Sequence, residues 1–347
     1  MKPMSLFRLL LAACTVFSLS TLSHAQEKTV TVGIVNTSAD AGFLIAQTNG
    51  YFKEVGLDVK LVPFASAALM IAPLATGELD VGSGTASAGL YNAVLRGVKI
   101  KVVADKGSIQ EGYDYSTLLV RKDLVDSGRY KSFTDLKGMT VAVAAKGAGS
   151  ESALNEALKK GGLTIHDVNV VYLGFPDHLV ALENKKIDAS ITDEPTNTRA
   201  IEGGIAVKAS PKAIYPGQQN AVMVYSDKFM QDRDLATRFM IAYIRALRFY
   251  NDALSGGHLA GPTSGEVVDI LTKNTKVKDA SLYRRITPNA VNPDGTVNEV
   301  ALANDLAYFK SQGYVPSGIE VRDIVDNSFA KAAVAKLGPY KPLVVSN

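Results

Sequence analysis

The chain has no tryptophan and a single cysteine, Cys14. So little cysteine excludes a disulfide framework, a cysteine metal site and a thiolate nucleophile from the region beyond residue 25. No Gly-Lys dipeptide occurs, which removes the phosphate-binding P-loop, and no GxGxxG marks a dinucleotide fold. The GxSxG elbow is absent too. One Ser-x-x-Lys occurs, at Ser328 to Lys331, without the SDN or KTG that would give it meaning. The four histidines, His24, His166, His178 and His258, have no metal-ligand spacing. A basic surplus is lacking as well: the formal charge is +3, and +1 without Lys2 and Arg8. That balance does not suit nucleic acid. No apolar run beyond the first 25 residues reaches membrane-spanning length. We expect no cofactor, no metal, no nucleic-acid partner and no catalytic residue.

What remains is a globular composition, 47% hydrophobic and 20% charged over 347 residues, enough for about two domains. Residues 1–25 read as a signal peptide. Lys2 and Arg8 precede the apolar stretch Leu9 to Leu22, and Ser23-His24-Ala25 offers a cleavage site before Gln26. A rival lipoprotein site, LAAC at Leu11 to Cys14, would leave a very short apolar core and a second apolar run on the product. The expected product is exported, soluble and monomeric.

Two stretches, Val30 to Gly84 and Thr140 to Pro195, share one pattern of strand, loop, helix, glycine, strand, loop, helix, strand. Val30 and Thr140 lie 110 apart, Asp58 and Asp167 109, and Asp80 and Asp188 108. So small a drift predicts two lobes of similar build, each an α/β unit with a mostly parallel sheet. Such sheets bind ligands beyond the carboxyl ends of their strands. Pro73 inside the second helix of the first stretch should kink it or start a new turn. Asp105 to Ser116, rich in glycine and tyrosine, is too long for a mere connection. The strands Thr117 to Val120 and Ala221 to Tyr225 bracket the second stretch and are expected to cross between lobes as a hinge. The tail, mostly helical, should pack on the first lobe. Expected boundaries are 26–118 plus 224–347 for the first lobe and 119–223 for the second.

Helix starts carry the site prediction. Near Ser38, Ser66, Thr85, Ser150 and Pro195, helices begin just past strands, exposing unpaired N–H groups and positive dipole ends. Several facing one cleft would receive an anion without a full positive charge. The loop Lys146-Gly147-Ala148-Gly149-Ser150-Glu151 is the strongest case. Its glycines admit close approach, Ser150 can cap and Lys146 adds charge. Ser83-Gly84-Thr85 is the matching turn. Phe64, Tyr113, Tyr115 and Phe175 could sandwich an apolar body. Asp40 and Asp193 could hold an ammonium, or serve as cap and loop residues, and Arg199 could reach the cleft. Asp193 and Glu194, adjacent on a strand, make a poor acid/base dyad.

The segments NGYFKEVGLDVKLVPF, ATGELDVGSG, SFTDLKGMTVAV, ALENKKIDASITDEP and VRDIVDNSFAKAAVAKLG resemble the nitrate/sulfonate/taurine group of ABC-transporter substrate-binding proteins. The resemblance covers Thr29 to Leu337. It implies a two-lobed periplasmic binding protein fold of the type with two crossover strands, partnered by a membrane permease and an ATPase. By position it places ligand-lining segments at Ser38 to Asp40, Ser66, Gly84 to Thr85, Lys146 to Ser150 and Asp193 to Glu194. Pro73 and the Tyr113/Tyr115 loop depart from the pattern. The expected solute is a small organic anion or zwitterion, a sulfonate or a carboxylate, not a bare inorganic oxyanion. Enzymes of pyrimidine-precursor synthesis share the fold but rely on a cysteine-rich stretch that is missing here. A sensory solute receptor is the remaining alternative.

Overall fold

The computed structural model describes residues 27–64 and 66–343. The expected signal peptide lies outside the described residues. Ten strands form two five-stranded sheets. In chain order they are β1 (Lys28–Ile34), β2 (Leu57–Pro63), β3 (Val81–Gly84), β4 (Ile100–Gly107), β5 (Ser116–Arg121), β6 (Thr140–Val143), β7 (Asn169–Tyr172), β8 (Ala189–Asp193), β9 (Ala206–Lys208) and β10 (Ala221–Ser226). The sheet orders are β2-β1-β3-β10-β4 and β7-β6-β8-β5-β9. In each sheet the first three strands are parallel, and an antiparallel strand lies beside the third.

The repeat extends to individual hydrogen bonds. In the first lobe the Asp80 N–H donates to the Thr31 carbonyl at 3.0 Å, and the Thr31 N–H returns to Asp80 Oδ2 at 2.8 Å. In the second, Asp188 N–H donates to Thr140 at 2.8 Å, and Thr140 N–H returns to Asp188 Oδ2 at 3.0 Å. The carbonyls of Asp80 and Asp188 then accept from Ser226 N–H and Arg121 N–H, each at 3.0 Å. One aspartate per lobe thus ties the start of the third strand to the first strand and to the antiparallel neighbour.

This equivalence corrects the hinge expectation. β5 and β10 are counterparts, and each lies wholly within one sheet. The chain passes between sheets in the segments before them, 108–115 and 209–220. These two crossings hold each other: Ile109 N–H donates to Gln218 O at 2.9 Å, and Gly217 N–H to Ile109 O at 2.7 Å.

The interior strands β5 and β10 and the edge strand β4 are buried almost throughout, as helices on both faces require. The helix Arg233–Asn251 covers one face of the first sheet with Phe239, Tyr243 and Leu247. Phe239 stacks on Phe52 at 4.8 Å, and Tyr243 meets Phe43 at 5.0 Å. The helix expected from Ser66 to Gly77 is a 3-10 turn, Ala67–Met70, followed by an α-helix, Ile71–Thr76. Pro73 therefore falls in a first helical turn, where its missing N–H leaves nothing unpaired. The tail packs on the first lobe through Val297, Leu302, Phe309 and Phe329. It also reaches the second lobe, where the helix Glu299–Ser311 meets the helix Gly149–Lys160.

The paired aspartates should be separable by lobe. Asp80→Ala is expected to speed amide exchange around Thr31, and Asp188→Ala around Thr140. Each should lower unfolding free energy by about 1–3 kcal/mol, the cost of leaving a buried donor unpaired. Exchange spreading equally through both lobes would contradict this independence.

Candidate functional site

The segments after β3, β6 and β8 carry contacts between the lobes, and the predicted residues fall in three groups. The first group is spent internally. Asp40 is fully buried, with Oδ2 accepting from Val35 N–H at 3.0 Å and Thr37 N–H at 3.2 Å. Its Oδ1 accepts from Ser83 Oγ at 2.8 Å and from the buried Lys106 ammonium at 3.0 Å. The carboxylate is thus taken up by the lobe itself, and Ser38 opens the short turn that positions it. Ser66 is exposed at the start of the 67–70 turn. Phe175 packs edge-on to His178 at 5.6 Å. Tyr113 is half-buried in a tight turn closed by its N–H to Gln110 O. Arg199 is exposed.

The second group joins the lobes at the two matching turns. Gly84 and Thr85 lead to the helix Ala88–Leu95, and the Ala88 N–H donates to the Gly147 carbonyl at 2.9 Å. Gly147 has φ +68°, and a Cβ there would lie 2.8 Å from Ala88 Cβ. Glycine is required on both counts. Ser150 does not cap the helix Gly149–Lys160; its Oγ accepts from Ala144 N–H at 3.1 Å and pins the end of β6. Gly149 O accepts from Gln218 Nε2 of the second crossing at 2.8 Å. Lys146 is exposed, with its ammonium 4.9 Å from the Tyr314 ring centre.

Glu151 is the decisive residue that sequence reasoning passed over. It is fully buried in the first turn of the Gly149–Lys160 helix. Its Oε2 accepts from Gly147 N–H at 2.7 Å, and its Oε1 from Tyr172 OH at 3.0 Å and Tyr314 OH at 3.1 Å. Its carboxylate takes the Gly147 N–H, just ahead of the helix start expected to receive a solute anion. One turn on, Ser152 Oγ donates to Asp305 Oδ1 at 2.6 Å, again across the lobes. Burial raises the Asp305 carboxyl to about 7, against hydrogen bonds from Ser152, Tyr215 and Gln218 that favour its charge.

The third group lies where the first crossing enters β5. Tyr115 is buried, and its carbonyl accepts from Glu194 N–H and from Asn197 Nδ2, each at 2.9 Å. Glu194 caps the helix Thr196–Glu202 through Thr198 N–H at 3.0 Å and Thr198 Oγ1 at 2.9 Å. It also accepts from Thr287 N–H of the tail at 3.3 Å, so it too bridges the lobes. Asp193, paired in register with Ser116, has a buried Oδ1 without a partner. Burial lifts its carboxyl to about 7; the Ser116 hydroxyl opposes this and Glu194 adds to it.

A groove of about 520 Å³ lies beside the crossings, lined by Asp105, Ser108, Gln219, Asn298 and Lys331 among others. None of the predicted residues lines it. Among the described residues no group of three His, Cys, Asp or Glu side chains could hold a metal ion. No described helix is long and apolar enough to cross a membrane.

Comparison with known proteins gives a consistent picture. A family model described as the NMT1-like family matches residues 23–256. The chain is 28% identical over 249 residues to a protein of Brachyspira hyodysenteriae named as an ABC transporter periplasmic binding protein, covering 68% of this chain and 69% of that one. It is 27% identical over 346 residues to a protein of Bacillus subtilis named as an aliphatic sulfonates-binding protein, covering 94% and 93%. Among solved structures, the alkanesulfonate-binding protein SsuA from Xanthomonas axonopodis pv. citri bound to MOPS superposes with TM-score 0.67 at 17% identity, covering 87% of this chain and 99% of that one. The fold is that of two-lobed periplasmic binding proteins.

Two outcomes test the seam. Tyr314→Phe removes a hydrogen bond to a charged group, worth about 1.5–3 kcal/mol, and should shift the lobes toward an open arrangement. Small-angle scattering would register a larger radius of gyration, with each lobe's exchange protection unchanged. Asp305 sets a pH dependence. Its folded value of about 7 exceeds the ordinary 3.8, so its contribution is full at low pH and lost as pH rises through about 7. Tm should fall between about pH 4 and about pH 7. Asp305→Asn should flatten part of that fall, since Asp105 and Asp193, raised to about 6 and about 7 by burial, act in the same direction.

Proposed function

Because this chain belongs to the NMT1-like family, we propose that it is the solute-binding receptor of an ABC importer, a periplasmic monomer that presents a small organic solute to a permease driven by an ATPase. The observation that carries this reading is the pair of like-built lobes whose sheets are linked by two mutually hydrogen-bonded crossings. That construction permits rotation about one short axis while the strand ends face each other, and a solute touching both lobes selects the closed state. The names of the relatives, periplasmic binding and sulfonate binding, agree with it. The role is binding, not catalysis.

The solute-lining residues proposed are Gly84, Thr85, Lys146, Gly147, Gly149, Tyr115, Asp193 and Glu194. The solute proposed is the small organic anion or zwitterion expected from the sequence. Glu151 takes the Gly147 N–H that precedes the helix Gly149–Lys160, and Lys146 stands exposed beside it.

A thermal-shift series of taurine, alkyl sulfonates, aromatic carboxylates, nitrate and pyrimidine precursors tests the reading. A true solute at about a hundred times its Kd adds about 2.7 kcal/mol to stability. At least one organic member should raise Tm and nitrate should not. Stabilisation by no member of the series would remove the receptor reading.

A further inference from the structure

Asp305 lies where three elements meet. It stands on the tail helix Glu299–Ser311, which packs on the first lobe through Leu302, Leu306 and Phe309. It is only 1% exposed, and what covers it comes from elsewhere. The second-lobe helix Gly149–Lys160 brings Ser152, whose Oγ lies 2.6 Å from Asp305 Oδ1. The second crossing brings Tyr215 and Gln218. The Tyr215 hydroxyl donates to Ala301 O of the tail helix at 3.2 Å, and Gln218 Nε2 donates to Gly149 O of the second-lobe helix at 2.8 Å. A carboxyl placed so is dry only while the second lobe is docked. When the lobes part, Ser152 leaves with the second lobe and water reaches the carboxyl oxygens.

The charges around Asp305 do not hold it ionised. Among the described residues no lysine, arginine or histidine forms an ion pair with it. From the second-lobe helix, Glu156 adds like charge, tempered by its own pairing with Lys159 at 2.7 Å. Glu151 of that helix is taken up by Gly147, Tyr172 and Tyr314. Tyr215 of the crossing and Tyr91 of the helix Ala88–Leu95 stay neutral, their phenols pushed up by burial and by the Asp305 charge. On its own helix Lys310 pairs with Glu320 at 3.2 Å, and Arg322 and Asp323 beyond are exposed. An ionised carboxylate buried without a cation is costly, and such a group takes a proton instead. Burial accordingly raises the Asp305 carboxyl to about 7, with Ser152, Tyr215 and Gln218 opposing and Glu156 adding to the rise. Wetted by opening, it returns toward the ordinary carboxylate range.

We propose that Asp305 is a pH-sensitive latch between the lobes: with its proton it keeps the second-lobe helix docked on the tail helix, and on losing that proton it lets the seam open. The docked arrangement binds the proton more tightly than the open one, so opening and proton release promote each other. In a solute receptor, closure would then take up a proton and capture would weaken as pH rises. That consequence rests on the receptor reading; the latch itself is read without a solute.

Small-angle scattering of the ligand-free full chain tests it. The radius of gyration should grow between about pH 4.5 and about pH 8, with the open-to-closed ratio rising about tenfold or more. Asp305→Asn, neutral throughout, should lose most of that growth while keeping the far-ultraviolet circular dichroism spectrum and a cooperative melt. Ser152→Ala removes the contact between the lobes without changing charge. It should show a larger radius already at low pH, and it decides the matter if Asp305→Asn does not fold. A constant radius in wild type overturns the latch. So does undiminished growth in Asp305→Asn, or a low-pH radius in Ser152→Ala equal to that of wild type. Failure of taurine and ethanesulfonate to bind at any pH would count against the receptor reading alone.

Discussion

The reciprocal pairing of Ile109 with Gln218 and Gly217 is the constraint on which the molecule turns. Backbone that passes between two sheets has no ladder of its own, and its polar groups need partners. Here the two passages supply each other. The result is one narrow axis where two loose linkers could have been. Gln218 uses its side chain to reach Gly149 of the second lobe, and Gln219 uses its own to reach Asp105 of the first. Successive residues of one crossing therefore hold opposite lobes. That places the strand ends face to face and makes any group at the seam sensitive to rotation about the axis.

The seam is held by polar contacts, with most apolar burial kept inside the lobes. Tyr314 to Glu151, Ser152 to Asp305, Thr287 to Glu194 and Ala88 to Gly147 all cross it. Hydrogen bonds exchange with water at small net cost, whereas apolar cores do not. A polar seam beside apolar lobe cores lets the halves part without unfolding.

Some of this was legible from spacing. The drift from 110 to 108 residues reflects a real correspondence of bonds, since Asp80 and Asp188 each tie the equivalent three strands of their own sheet. Positive-φ glycines at Gly56, Gly77 and Gly147 stand where stops and tight turns were expected. The two similar strands, Thr117 to Val120 and Ala221 to Tyr225, were rightly seen as alike but read as crossing the hinge. They are alike because they fill the same place in different sheets, and pattern alone does not reveal which sheet a strand joins. Among the site residues, the matching turns at Gly84 and Gly147 do meet. Asp40 looked available because nothing in the sequence pairs it with Lys106, 66 positions away.

The sequence by itself determined the elements and their periodic order, because helix and strand formation depends on neighbours a few residues apart. It also excluded thiol, phosphate-loop and dinucleotide chemistry, because those need particular residues at particular spacings. Only the tertiary structure decided which carboxylates are spent and which are left over. Glu151, Asp193 and Asn197 acquire their character from partners on other elements, and from the water that burial removes. Neither is encoded in the residues beside them.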